Sequence, residues 1–150
     1  MSKDNNGTFK PLGDSDTKMH GDTAVLVAGH PPTDRERLQD LLVEIELSHL
    51  PLHFVPDSLG DLTLRELSGG RVDGHSDEPS MLPRAVVMSG LAERELHLLM
   101  KAYRESGLAQ PSWAVVTPAS ETWTLRRLLE ELGREREALK AAVRDQDASP

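Results

Sequence analysis

The chain has 150 residues, which is enough for one domain with one modest hydrophobic core. Its formal charge of −8, from 17 basic and 25 acidic residues, disfavours binding to nucleic acid or to an anionic membrane, because both are bound by clustered Lys and Arg. The chain has no cysteine, which excludes disulfides, iron–sulfur clusters and a thiol nucleophile.

Residues 1–22 are polar and show neither helical nor strand periodicity, so we predict a disordered tail there. The segment has no apolar core of the signal-peptide type, and eighteen consecutive apolar residues occur nowhere in the chain. We therefore expect a cytoplasmic protein.

A continuous apolar run at residues 24–28, closed by Gly29, predicts a strand that is buried on both faces. The capping-box sequence Thr33-Asp34-Arg35-Glu36 predicts that a helix begins at Thr33. Its apolar stripe consists of Leu38, Leu41, Leu42 and Ile45. A second strand at 52–55 and a short helix that ends at Gly69-Gly70 complete the first unit.

Residues 69–83 contain turn-forming dipeptides without periodicity and predict a flexible connection. A second unit follows, with a strand at 85–89 closed by Gly90, a helix that ends before Gly107, and a strand at 113–116. Ser120 is the predicted N-cap of a long final helix. The predicted buried side of that helix is formed by Leu125, Leu128, Leu129, Leu132 and Leu139. We expect residues 141–150 to be a disordered tail.

The two units have the same spacing, because the chain advances by 34 residues from Gly29 to Thr63 and again from Gly90 to Thr124. This spacing indicates an internal duplication, with repeats at 23–68 and 84–140 in a single α/β domain of residues 23–140. We predict a four-stranded, mainly parallel sheet of order 2-1-3-4 with helices on both faces. An alternative arrangement pairs the two repeats in antiparallel orientation.

In the parallel arrangement Gly29 and Gly90 lie together at the C-terminal ends of the two central strands, where open α/β sheets bind ligands. Thr33, Thr117 and Ser120 are then candidate polar contacts, although capping is the favoured explanation for each of them. Trp123 is also a candidate contact. Its counterpart in the first repeat is Leu62, which favours packing over ligand stacking.

No catalytic set emerges from the sequence. His49 and His53 are four residues apart, but Pro51 between them disrupts the helical geometry that a shared metal would need. Neither the dinucleotide-binding nor the P-loop glycine pattern is present. We therefore predict no catalytic residue, no metal and no cofactor.

The string Ala114-Val115-Val116-Thr117-Pro118, followed by Ser120 and Trp123-Thr124-Leu125, resembles a family of small prokaryotic domains, domain-of-unknown-function family 3783. The resemblance covers residues 85 to about 137, where the family often carries Asn in place of Ser120. The resemblance supports a domain boundary, and it supplies no mechanism.

Two functions remain open at this point. The first is a non-enzymatic cytoplasmic module that binds a protein partner or a second copy of itself, since the core lacks catalytic groups and the long charged helix is available for contacts. The second is a small-ligand sensor or enzyme that uses the crevice between Gly29 and Gly90. A polar pocket at the strand ends favours the second function, whereas filled strand ends and an exposed apolar patch favour the first.

Overall fold

The computed structural model describes residues 17–70 and 80–148, with side chains through Arg144. This part of the chain forms an α/β fold with one sheet. Its strands are β1 (Ala24–Ala28), β2 (Leu52–Phe54), β3 (Ala85–Ser89) and β4 (Ser112–Val115). Its α-helices are α1 (Pro32–Glu44), α2 (Leu64–Ser68), α3 (Glu93–Glu105) and α4 (Leu125–Ala148).

The sheet has the predicted order, β2-β1-β3-β4, and its two outer pairs are parallel. The central pair is antiparallel, with Ala24 opposite Ser89 and Ala28 opposite Ala85. The sheet is therefore mixed, and the prediction of a mainly parallel sheet was wrong. Both central strands are buried on both faces, so their apolar runs look the same in either direction and do not encode the orientation.

Helices cover both faces of the sheet. Leu26 of β1 belongs to one core cluster together with residues of α2 and α4, whereas Val25 and Val27 belong to a second cluster together with residues of α1 and α3. This alternation follows from the period of two in a strand. The continuous apolar runs in β1 and β3 are needed because each strand contributes to both clusters.

The two halves of the sheet have the same internal register. Val25 pairs with Leu52 in the first half, and Val86 pairs with Trp113 in the second. From Val25 to Val86 and from Leu52 to Trp113 the chain advances by the same 61 residues. Helices α1 and α3, of 13 residues each, are related by the same interval.

Corresponding residues meet each other across a local twofold axis. Leu26 lies opposite Val87, and Thr63 forms an isolated antiparallel bridge with Thr124. Four backbone hydrogen bonds around this bridge form two reciprocal pairs: Leu64 N to Trp123 O (2.9 Å), Leu125 N to Leu62 O (3.1 Å), Arg65 N to Glu121 O (2.9 Å) and Arg126 N to Gly60 O (2.9 Å). The two Thr-Leu-Arg boxes therefore join the halves on the α2/α4 face of the sheet.

Backbone pairing and helix extend into both predicted tails, while the domain limits of 23–140 stay a prediction. Residues 17–22 lie along the end of β3, where Met19 N donates to Leu91 O at 2.9 Å and Gly90 N donates to His20 O at 3.0 Å. At the other end of the chain α4 continues to Ala148, through most of the predicted tail at 141–150. Residues 1–16 of the predicted N-terminal tail and residues 71–79 of the predicted connection lie outside the described part of the chain.

Candidate functional site

The crevice predicted between Gly29 and Gly90 does not form, because β1 and β3 are antiparallel and the two glycines therefore lie at opposite ends of the strands. These two ends of the sheet are called the Gly29 edge and the Gly90 edge below. Both have a positive φ, +73° and +64°. A Cβ at Gly29 would lie 2.5 Å from the backbone of Leu82 and Pro83, and one at Gly90 would lie 2.3 Å from Gly21 O. Each glycine permits a close approach of neighbouring backbone, and each strand end is filled.

The predicted polar contacts are divided in the same way. Thr33 follows β1 and lies near the Gly29 edge, whereas Thr117 and Ser120 follow β4 and lie at the Gly90 edge. Thr33 is exposed and does not cap α1, because that helix begins one residue earlier, at Pro32, with Pro31 as its N-cap. Proline is favoured in the first helical turn, where its missing N–H costs nothing.

Thr117 and Ser120 bond to each other. Thr117 N donates to Ser120 Oγ at 3.0 Å, and Ser120 N donates to Thr117 Oγ1 at 3.1 Å. The predicted N-cap role of Ser120 was wrong, because α4 begins at Leu125 and Thr124 Oγ1 accepts from Arg127 N at 3.1 Å, as an N-cap side chain does. Thr117 and Ser120 therefore stabilise their own turn.

Trp123 lies two residues before α4 and packs, partly buried, against the same core cluster as its counterpart Leu62. The Arg127 guanidinium lies 4.1 Å from the centre of the Trp123 ring, a cation–π contact. One face of the ring is therefore in contact with a cation of its own chain.

An open apolar surface lies elsewhere, between the distal half of α4 and the edge strand β4. Leu139, which we predicted to be buried, is 68 % exposed, and Val143 is 54 % exposed. Helix α4 outruns the core after Leu132, so the stripe that packs near its start is uncovered near its end. A groove of about 660 Å³ results. Its lining, called the α4 groove below, is Pro111, Ser112, Trp113, Leu132, Glu135, Arg136, Leu139, Lys140, Val143 and Arg144.

Strand β4 forms one wall of the groove, and contacts with α3 and α4 fix its position. Trp113 is half-buried, and its ring meets the Tyr103 ring edge to face, with centroids 5.3 Å apart. Arg136 donates to Ser112 Oγ and ties α4 to the strand. The groove is therefore bounded by two connected elements, and its apolar floor is preformed.

A smaller polar pocket of about 350 Å³ lies at the Gly90 edge and is lined by His20, Asp22, Arg65, Ser68 and Glu121, among others. Glu121 accepts from Arg65 at 2.6 Å and lies 2.9 Å from His20 Nε2. The contacts with Arg65 and then with His20 lower the pKa of the Glu121 carboxyl. Arg65 and Glu121 thus form an ion pair with each other inside this pocket.

His30 is buried, with 2 % of its surface exposed. Its Nδ1 lies 2.9 Å from Ala28 O, and its Nε2 lies 2.9 Å from Tyr103 Oη, which in turn donates to Ala109 O at 2.7 Å. Burial lowers the pKa of His30 to about 4. Because the imidazole is closed off from solvent, we assign it a structural role.

The described residues hold no group of three His, Cys, Asp or Glu side chains that could bind a metal ion. Across residues 17–70 and 80–148, no helix has both the length and the apolar character needed to cross a membrane.

The segment that contains β3, α3, β4 and the first half of α4 is similar to a known family. Residues 84–139 match the model of a domain of unknown function, DUF3783. This match confirms the resemblance stated from the sequence. No curated protein and no solved structure matches the chain. The DUF3783 segment includes the strand wall and floor of the α4 groove up to Leu139, whereas Lys140, Val143 and Arg144 lie just beyond it.

Sequence reasoning missed the α4 groove. Leu132, Leu139 and Val143 lie on one helical face at i, i+7 and i+11, but we predicted that Leu132 and Leu139 belong to the buried side of the helix. The signal that could have revealed the groove was this apolar stripe, which continues past the point where the first repeat ends.

Proposed function

We propose that the protein is a non-enzymatic module that binds a protein partner through the α4 groove. The observation that carries the proposal is the exposure of Leu139 and Val143 beside Trp113 on a helix that has outrun its own core. Apolar side chains grouped in this way are a common mark of protein interaction sites.

Burial of the apolar side chains of the groove would supply part of the free energy of binding. Full burial of a Leu or Val side chain stabilises a complex by about 1.5–3 kcal/mol. Trp113, already ordered against Tyr103, would lose little conformational freedom when a partner covers it. These three side chains would form the centre of the interface, with the charged lining residues at its rim.

The strand ends support this function over the small-ligand alternative. The crevice that a ligand would have used is absent because Gly29 and Gly90 are at opposite edges. In the polar pocket at the Gly90 edge, Arg65 and Glu121 are already paired with each other. The cytoplasmic location of the module stays a prediction.

We also propose that the two halves arose by duplication and that binding is a property of the second half. The 61-residue interval shared by strands, helices and registers supports the duplication. Helix α2 ends at Ser68, whereas its counterpart α4 continues to Ala148, so no equivalent of the groove-forming extension is found among the described residues of the first half.

A matched pair of variants tests the binding proposal. Val143→Asp places a charge in the groove, and Val43→Asp places the same charge on α1, where Val43 is 64 % exposed and outside the groove. Both variants should fold, as circular dichroism and thermal unfolding would check. In affinity purification of the tagged protein from its host, a protein that is retained stoichiometrically by wild type and Val43→Asp should be lost from Val143→Asp.

The same experiment can refute the proposal. A partner retained equally by all three proteins would locate the interface elsewhere. Retention of a metabolite, with no specific protein, would replace the proposed function with a ligand-binding one.

A further inference from the structure

We infer that the partner segment that fills the α4 groove is an acidic amphipathic helix. This inference rests on the proposed function and adds the chemistry of the partner. Three observations support it: the basic charge of the groove rim, the repulsion that this charge would cause between two copies of the chain, and the length of the groove.

The rim of the groove is basic in a chain that is acidic as a whole. Among the lining side chains that the structure describes, Arg136, Lys140 and Arg144 accompany one carboxylate, Glu135, while the chain carries a formal charge of −8. Lys140 also lies 3.8 Å from Glu137, outside the lining, but both side chains are more than half exposed and such a pair is weak. A partner with carboxylates along its flanks would therefore meet a complementary rim.

The same rim disfavours a second copy as the occupant. In a symmetric dimer each groove would pack against itself, since such an interface uses the same patch on both subunits. Three cations from one rim would then face the three cations of the other. Like charges that face each other across an interface are costly, so the groove favours a different, acidic chain.

The shape of the groove matches a helix. From Leu132 to Arg144, α4 spans about 18 Å at 1.5 Å per residue. An amphipathic helix with apolar side chains at i, i+4, i+7 and i+11 presents them over about 16 Å, which is the recognised pattern of a helix bound in an apolar groove. Leu132, Leu139, Val143 and Trp113 supply the apolar floor against which such a stripe would pack.

A displayed library of helical peptides tests the inference directly. Each peptide of about 16 residues carries Leu at i, i+4, i+7 and i+11, while its remaining positions vary among Glu, Gln, Lys and Ala. Selection on the purified full chain should enrich peptides with a net negative charge. Their binding, measured by fluorescence anisotropy, should weaken with increasing salt.

Charge-reversal variants provide the control. Lys140→Glu/Arg144→Glu should weaken the binding of the enriched peptides by about tenfold, because two exposed attractions become repulsions. Lys101→Glu/Arg104→Glu makes the same change in net charge on exposed positions of α3 that do not line the groove, and it should leave the affinity unchanged.

Each other outcome overturns the inference. Enrichment of neutral or basic peptides, or equal weakening by both charge-reversal variants, would show that the rim does not select the partner. A dimer in sedimentation equilibrium that Val143→Asp dissociates would identify a second copy as the occupant. If no peptide binds while Val143→Asp still loses a host protein, the acidic-helix inference fails and the proposed function stands; if neither experiment finds binding at the groove, both fail.

Discussion

The buried His30 should make the stability of this protein depend on pH in a defined window. Burial lowers the pKa of His30 from 6.5 to about 4, so the unfolded chain binds a proton that the folded chain resists. The contribution of neutral His30 to the free energy of unfolding is therefore fully present above a pH of about 6.5 and is lost as the pH falls toward 4. The loss is about 3 kcal/mol when both states are fully protonated, and about 2 kcal/mol at pH 5.

His30→Gln isolates this effect, because glutamine can bond to Ala28 O and Tyr103 Oη without titrating. Urea unfolding of wild type and variant at pH 8 and pH 5 gives the drop in the free energy of unfolding for each protein. We expect the wild-type drop to exceed the variant drop by about 2 kcal/mol. His53, whose pKa is also lowered by burial, is present in both proteins and cancels in the comparison.

His97→Gln, at an exposed position of α3, is the matched control and should show the wild-type drop. Equal drops in wild type and His30→Gln would refute the reasoning, because the imidazole would then be free to take up a proton in the folded state. A wild-type protein that gains stability between pH 6.5 and pH 5 relative to His30→Gln would have the opposite sign and would refute it as well.

Two further predictions concern packing. Gly90→Ala should lower the free energy of unfolding by about 1–3 kcal/mol more than Gly107→Ala, as measured by chemical denaturation. A Cβ at Gly90 would lie 2.3 Å from Gly21 O, whereas Gly107, with φ +87°, has nothing within 4 Å of an added Cβ. Equal losses of stability would mean that the contact at Gly90 relaxes freely. Leu129→Ala should cost about 2–5 kcal/mol, since Leu129 is 4 % exposed, whereas Leu139→Ala should change stability by less than about 0.5 kcal/mol. Thermal unfolding measures both, and a large loss for Leu139→Ala would place that side chain in a packed core.

The difference in length between α2 and α4 explains why a nearly symmetric fold carries an asymmetric surface. The reciprocal bonds around Thr63 and Thr124 keep the halves equivalent close to the twofold axis. Away from the axis, α4 is much longer than α2 and reaches past its own core. An apolar stripe that continues beyond the core is exposed unless another chain covers it.

Some of the candidate site was within reach of the sequence. The 61-residue interval and the helical spacing of Leu132, Leu139 and Val143 are both visible in the printed chain. Three-dimensional information was needed for the buried contact of His30 with Tyr103, which joins residues 73 positions apart, and for the place of Trp113 at the sheet edge. Nothing in the local pattern around His30 or Trp113 distinguishes these environments.

The sequence by itself determined the elements, their order in the sheet and the equivalence of the two halves, because apolar periodicity, caps and turn residues act over a few positions. The tertiary structure decided the direction of β3 against β1, and with it the separation of Gly29 from Gly90. A strand buried on both faces packs equally well in either direction, so the choice depends on contacts between distant residues, such as those of the two Thr-Leu-Arg boxes. Leu139 lies in an open groove because the core cluster that packs against the start of α4 does not reach it.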